Sequence, residues 1–333
     1  MRQHLGRVRV AADLTSATVD GREVTASGPK ALRKALADAL YEALHTGATP
    51  KEDLPRRPPS DPAFEQVLRA TVPHSGTRVL APVEPGAPHV VRLGGVRVLV
   101  PEPETAVGGE TGQRPDAAVT GEAGKTRWVT LPSVMPALSP GFLLVNGSAG
   151  HGLDEGACVR VYAGAERPDA APGLWGAVLA RLEDLGLPYR AKVLSIRGHY
   201  PRRDSIVVYL GPRSWHAVPE IARAATAAGG LRPDLSAYVA PLGPGLGWAW
   251  EPHDPRPGMR GLSFGEHRSH AVAAGLLAHA EHGGDLEQAV DEELRAAGIT
   301  PDAPYRNLAS PPLPFETSGP ATGPGSHKIQ ERG

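Results

Sequence analysis

Strand pairs interleaved with helices mark this 333-residue chain as an α+β protein, with a mixed or antiparallel sheet and helices packed around it in a single main domain. Three observations predict that class. Short runs alternate apolar and polar residues and are bounded by Gly, Pro, Asn or Asp, the pattern of strands. Longer segments repeat leucine or valine every three to four residues, the spacing of one helix face. Forty glycines and thirty-five prolines supply turns, and a 41% hydrophobic content supplies a core.

In chain order, residues 1–26 read as a β-hairpin in which Asp20-Gly21 turns between Thr18-Val19 and Glu23-Val24. Pro29 suits a first helical turn, Leu32, Leu36, Leu40 and Leu44 form one stripe, and Gly47 is a natural C-cap. A proline-rich connection over 48–61 leads to a short helix, Pro62–Ala70, carrying Phe64, Val67 and Leu68. Val79–Val100 alternates as strands with turns, whereas 101–125 lacks apolar periodicity and is expected to be a surface or disordered insertion. Cys158–Tyr162 is a strand with Val159 and Val161 on one face and Arg160 and Tyr162 on the other. Pro172 opens a helix with Leu174, Val178, Leu182 and Leu185 in line, closed by Gly186. Further helices are expected near Val218–Ala228, from the capping box Ser263-Phe264-Gly265-Glu266 to about His282, and over Leu286–Ala297. A strand is placed around Tyr238, and Leu242–Glu251 reads as a glycine-rich turn whose Trp248 and Trp250 serve packing. The domain is bounded at 1–316, with a disordered tail over 317–333.

Pro188–Leu210 is the stretch the rest is arranged around. It reads as two strands, Tyr189–Ile196 and Asp204–Leu210, joined by a tight basic turn. Alternation puts Arg190, Lys192 and Leu194 on one side of the first strand. Lys192 is the only lysine between Lys125 and Lys328. Lysine can lose its proton and arginine cannot, so a single mid-strand lysine in an arginine-rich chain points to chemistry. An ordinary edge-strand lysine is the competing reading.

Composition excludes several classes. A net charge of −1 gives no global attraction to nucleic acid or membrane. One cysteine, Cys158, rules out an internal disulfide and a cysteine zinc cage. No run has spanning length and no signal peptide is evident, which leads us to expect a cytoplasmic protein. Gly124-Lys125-Thr126 imitates the end of a phosphate loop, but Val119 stands where the motif needs glycine. Asn146-Gly147-Ser148-Ala149-Gly150 fails as a nucleophile elbow because Asn146 replaces its first glycine. His267, His270, His279 and His282 read as helix decoration, since no carboxylate or cysteine completes a metal site.

An ordered set of motifs nevertheless stands out. It runs Leu40-Tyr41-Glu42-Ala43-Leu44-His45, Arg160-Val161-Tyr162, Tyr189-Arg190-Ala191-Lys192-Val193 and Tyr200-Pro201-Arg202-Arg203-Asp204. Gly243-Pro244-Gly245-Leu246-Gly247 with Glu251-Pro252, Ser263-Phe264-Gly265-Glu266-His267-Arg268 and Pro304-Tyr305-Arg306-Asn307 follow. This set resembles the HopA-type effector family over roughly residues 30–315, with 101–125 as an insertion. Relatives act in ribosomal-peptide pathways such as those of class V lanthipeptides and thioamitides. The resemblance implies an α+β lyase that β-eliminates phosphate from phosphothreonine or phosphoserine in a precursor peptide. Its expected partners are that phosphorylated peptide and an aminoglycoside-phosphotransferase-like kinase, with no nucleic acid, membrane, cofactor or metal. A non-catalytic leader-peptide-binding or adaptor module of the same pathway is the alternative reading, and an effector-like protein is a third.

Elimination needs a base for the α-proton, positive charge around the phosphate, and an acid for the leaving oxygen. Lys192 is the candidate base. Arg160, Arg202 and Arg268 are the candidate phosphate clamp, because guanidinium forks match phosphate oxygens. Tyr200 or His267 is the candidate acid, and Asp204, Glu251 and Glu266 are expected to support them. The helix start near Phe264 offers further N–H groups to an anion. Arg160, Lys192, Arg202 and Arg268 are therefore expected to converge in one cleft.

Overall fold

The computed structural model describes residues 1–48, 60–93, 96–100, 126–135, 138–313 and 315–316. The insertion expected at 101–125, the tail at 317–333 and most of the 48–61 connection lie outside the described residues. In order, the elements are α1 (Arg2–Leu5), β1 (Val8–Val10), β2 (Ser16–Val19), β3 (Arg22–Thr25), α2 (Pro29–Leu40) and α3 (Pro62–Ala70). Next come β4 (Gly76–Glu84), β5 (Ala87–Leu93), β6 (Val96–Leu99), β7 (Thr126–Pro132), β8 (Val134–Met135), β9 (Phe142–Asn146) and β10 (Val159–Ala163). The chain continues through α4 (Ala171–Asp184), β11 (Arg190–Leu194), β12 (Ile206–Leu210), α5 (Val218–Ala228), β13 (Ala240–Gly243), β14 (Leu246–Trp250), α6 (Phe264–His282) and α7 (Leu286–Ala296).

Three antiparallel sheets result. The central one has seven strands in the order β13-β14-β10-β12-β11-β9-β8, flanked by β1-β2-β3 and by β6-β5-β4-β7. One face of the central sheet presents Val159, Val161, Ile206, Val208 and Trp248 to Leu174, Trp175 and Val178 of α4 and Ile221 of α5. The other presents Tyr162, Val207 and Ala249 to Leu40 and Leu44 and to Phe264 and Val272 of α6. Helices on both faces explain why its strands carry apolar residues at nearly every position.

Local rules account for most boundaries. Asp20 and Gly21 both adopt positive φ, 49° and 83°, giving the tight turn between β2 and β3. The leucine stripe of α2 runs on into a π-helical turn, Tyr41–Thr46, which Gly47 ends at φ 62°. Arg203 ties down that turn, its guanidinium donating to the Ala43 carbonyl at 2.9 Å. Ser263 and Glu266 form the reciprocal capping box at the start of α6.

Three expectations are corrected. Leu242–Glu251 turns only at Pro244-Gly245; Leu242-Gly243 and Leu246–Trp250 are strand, and β14 pairs with both β10 and β13. A run of glycines masks the strand, and Gly247 is required there because a Cβ would stand 2.5 Å from a Val239 methyl. The strand expected around Tyr238 starts at Ala240. The link between β11 and β12 is no tight turn but an eleven-residue excursion, 195–205, with one 3-10 turn at Arg197–His199. Lys192 is also no edge residue, because β11 is flanked by β12 and β9.

Candidate functional site

Antiparallel register arranges side chains in rows across one sheet face. One row reads Asn146, Arg190, Tyr209, Arg160, Ala249 across β9, β11, β12, β10 and β14. The adjacent row reads Leu144, Lys192, Val207, Tyr162, Gly247. Over Val207, Tyr162 and Ala249 the helices cover this face. Where Arg190, Lys192 and Tyr209 stand, they leave it open.

The opening is a two-lobed cleft. Its larger lobe, of ≈ 930 Å³, has Arg190, Lys192 and Tyr209 on its floor. The smaller, of ≈ 550 Å³, adds Arg160, Asp254, Arg260 and Glu266. Lys192, Tyr209, Glu251, Pro252 and His253 line both lobes.

The floor carries positive charge that carboxylates only partly neutralise. Arg160 is buried and bidentate on Glu251, with its Nη2–Oε1 contact at 2.5 Å, and its guanidinium carbon lies 4.9 Å from the Tyr209 ring centre. Arg190 donates to the neutral Asn146 Oδ1 at 2.8 Å, and burial pulls its pKa below the ordinary value. Among the described residues neither Arg190 nor Lys192 has a carboxylate partner. Lys192 Nζ makes no hydrogen bond there and rests 4.4 Å from the Phe142 ring centre. The Tyr209 hydroxyl likewise has no hydrogen bond among the described residues, and it stands in register between Arg190 and Arg160.

Of the residues expected in the site, Lys192, Arg160, Glu251 and Glu266 come together and the rest do not. Arg202 lies behind the cleft: its guanidinium is bidentate on Asp204 at 2.8 and 2.7 Å and donates to the Tyr41 hydroxyl at 3.1 Å. Arg202 and Lys192 both approach the Phe142 ring, at 5.7 and 4.4 Å from its centre, and Lys192 adds to the field that holds Asp204 ionised. Burial alone would raise the Asp204 carboxyl, but the Arg202 guanidinium overrides this and holds it well below the carboxylate range. Tyr200 lies in the core on the opposite sheet face, donating to the Leu194 carbonyl at 2.7 Å. Leu194 is in that core too, so the alternation expected of the strand holds only for Arg190 and Lys192. Glu266 caps its own helix, accepting the Ser263 amide at 2.7 Å, so a carboxylate already occupies the place expected for an anion.

His267 and Arg268 are fully buried. Arg268 donates to the Pro304 carbonyl, Asn307 Oδ1 and His267 Nδ1, each at 2.9 Å. A guanidinium only donates, so His267 Nδ1 accepts, and the proton sits on Nε2, which donates to Asp254 at 3.0 Å. Burial pushes His267 down to about 4 and Arg268 down to about 9. Asn307 in turn donates to the Glu251 carbonyl at 2.7 Å. Arg268 thus fixes the cleft wall and does not line the cleft.

With this geometry, the matching family model is the HopA1 effector protein family, over residues 133–306. The chain belongs to the HopA1 effector protein family. The HopA1 match spans β8 through α7, and so contains every strand of the central sheet and the whole cleft floor. Two solved effector proteins of Pseudomonas syringae are similar in part. That of pv. tomato strain DC3000 is 19% identical with a TM-score of 0.40, over 50% of this chain and 62% of that one. That of pv. syringae strain 61 is 14% identical with a TM-score of 0.45, over 81% of this chain and 89% of that one. This chain therefore spans less than two thirds of the DC3000 protein's length. No curated protein sequence matches it.

Sequence reasoning missed Arg190 and Tyr209 as site residues of this HopA1 chain. Alternation already placed Arg190 beside Lys192, and the same alternation along β12 sets Tyr209 apart from Val208 and Leu210. Only the register between strands joins the two. Of the wall at 307–311 only Asn307 stood in a family-like motif; the rest is irregular chain brought in from far along the sequence and carried no usable signal.

Proposed function

We propose that the chain is a phosphothreonine or phosphoserine lyase acting on a phosphorylated peptide in the cleft over the central sheet. The carrying observation is Lys192, whose side-chain nitrogen has no carboxylate within ion-pair distance among the described residues, next to Arg190 and diagonal to Tyr209. Lys192 and Arg190, two apart on one strand, are about 7 Å apart at their Cα atoms, so their side chains can span one phosphorylated residue. As a free amine, Lys192 takes the α-proton. The Cα–H electron pair becomes the Cα=Cβ bond, and the Cβ–O pair leaves with the phosphate. Tyr209 gives its hydroxyl proton to the departing oxygen, and the proton held by Lys192 returns to Tyr209 through solvent. The products are a dehydrobutyrine or dehydroalanine residue and hydrogen phosphate. Arg190 faces the phosphate, while Arg160, already paired with Glu251, positions Tyr209.

Membership of the HopA1 family is compatible with an effector-like role without specifying the reaction. In this reading a kinase resembling aminoglycoside phosphotransferases supplies the phosphate monoester. The test is mass spectrometry of a phosphothreonine-containing precursor peptide incubated with the purified protein. Loss of phosphoric acid, without nucleotide, is expected. Tight binding with no change of mass, even with the kinase present, would instead make the protein a leader-binding adaptor.

A further inference from the structure

The cleft is chemically two-sided, and the lyase reading uses only its floor. The wall of the larger lobe is built from Leu138, Leu144, Leu153, Trp250, Leu308 and Pro311. Leu138 and Leu308 are 65% and 58% exposed, two of the six large apolar side chains left exposed among the described residues. One precedes β9 and the other follows α7, yet both face this opening. Scattered exposed leucines need no explanation, but two converging on one concave lobe beside unneutralised cations fit a ligand. A ligand complementary to the whole cleft has an anion over Arg190 and Lys192 and a bulky apolar group a few ångströms away.

We infer that the larger lobe is a subsite for a large apolar side chain next to the phosphorylated residue, so that the preferred substrates are phosphopeptides with Leu, Ile, Val, Met or Phe beside the phosphothreonine or phosphoserine. This rests on the floor's being the phosphate end, as the lyase reading has it. Leu138 and Leu308 select the neighbour by burying it, and a charged neighbour is rejected because the wall offers it no partner.

The test measures binding by fluorescence anisotropy, using Lys192→Arg protein so that no turnover intervenes. The probes are ten-residue peptides, phosphorylated or not on one threonine, flanked on both sides by Leu, Ala or Asp. The Leu-flanked phosphopeptide should bind roughly tenfold or more tighter than the Ala-flanked one, the discrimination a hydrophobic pocket gives for a few methylenes, and tighter still than the Asp-flanked one. Leu138→Ser and Leu308→Ser together should abolish that preference while the preference for phosphate remains. Both side chains are exposed, so the fold should survive, as circular dichroism would verify. Equal binding of the three phosphopeptides, or a preference that survives the double substitution, would overturn the subsite. Equal binding of phosphorylated and unphosphorylated peptides would overturn the phosphate reading, with the neighbour preference scored separately. No binding of any peptide would overturn both.

Discussion

Lys192 and Arg268 show how differently two cations on family-like motifs can be used. Lys192 stands in a row of side chains on an open sheet face with no carboxylate within ion-pair distance among the described residues, and as a lysine it can exchange its proton. Lys192→Arg should therefore reduce elimination by at least ~10²–10⁴-fold, the contribution of a general base, while phosphopeptide binding persists; single-turnover mass spectrometry checks both. Near-normal turnover in that variant would leave Lys192 as an electrostatic contact only. Tyr209→Phe should also slow turnover while leaving binding intact, because only the hydroxyl is removed. Arg268 is spent on three internal acceptors. Arg268→Ala leaves those acceptors unpaired in a buried site and should cost about 3 kcal/mol or more of stability, read by urea unfolding, with its effect on the cleft passing through Asn307.

At the level of elements, the open half of the sheet face depends on how α6 sits on the π-helical turn. Gly265 makes the close crossing possible: a Cβ there would lie 2.2 Å from a His45 ring carbon and 2.7 Å from the Tyr41 ring. Gly265→Ala should cost about 1–3 kcal/mol through overpacking, seen as a lowered denaturation midpoint. Ser263→Ala removes the cap of the same helix and should cost about 1 kcal/mol, leaving the helix register unchanged. The same helix, contacted from two sides, shows hardly any amphipathic stripe. Val272 and Phe264 face the sheet and Gly275 lies against the Val290 backbone of α7, so both sides of α6 are buried. Its capping box marked it in the sequence more clearly than its hydrophobic pattern did.

For the whole molecule, stability should depend steeply on acid because two histidines are buried uncharged. Burial pushes both His45 and His267 down to about 4, against an ordinary value of 6.5. Below about pH 6.5 the unfolded chain protonates both while the folded protein does not, so protonation favours unfolding. The contribution of these two histidines is then constant above that pH and falls between pH about 6.5 and 4, by up to about 1.4 kcal/mol per pH unit for each. Asp204, held low by Arg202, works in the same direction at lower pH: its contribution is lost as pH falls from the ordinary carboxylate value through its depressed one. Urea unfolding at pH 7.5, 6, 5 and 4.5 should show this slope, and His45→Gln should remove about half of it. A flat profile would mean that these side chains charge within the fold.

The sequence by itself determined the elements whose signals are local. Helix α3, the capping box of α6, the Asp20-Gly21 turn and the stripe leading to Gly47 all follow from residues a few positions apart, because caps, turns and helix faces are short-range physics. It also marked Lys192 as unusual, since side-chain chemistry does not depend on distance along the chain. Only the tertiary structure decided that Leu246–Trp250 forms a strand, that β11 lies inside the sheet, and that Arg190, Tyr209 and Arg160 share one row. The same holds for Tyr200 and Arg268, whose residue types suit an acid and a phosphate clamp. Register between strands and the covering of a face are set by contacts between segments a hundred residues apart, and alternation along one strand cannot say which of two faces a distant helix will leave open.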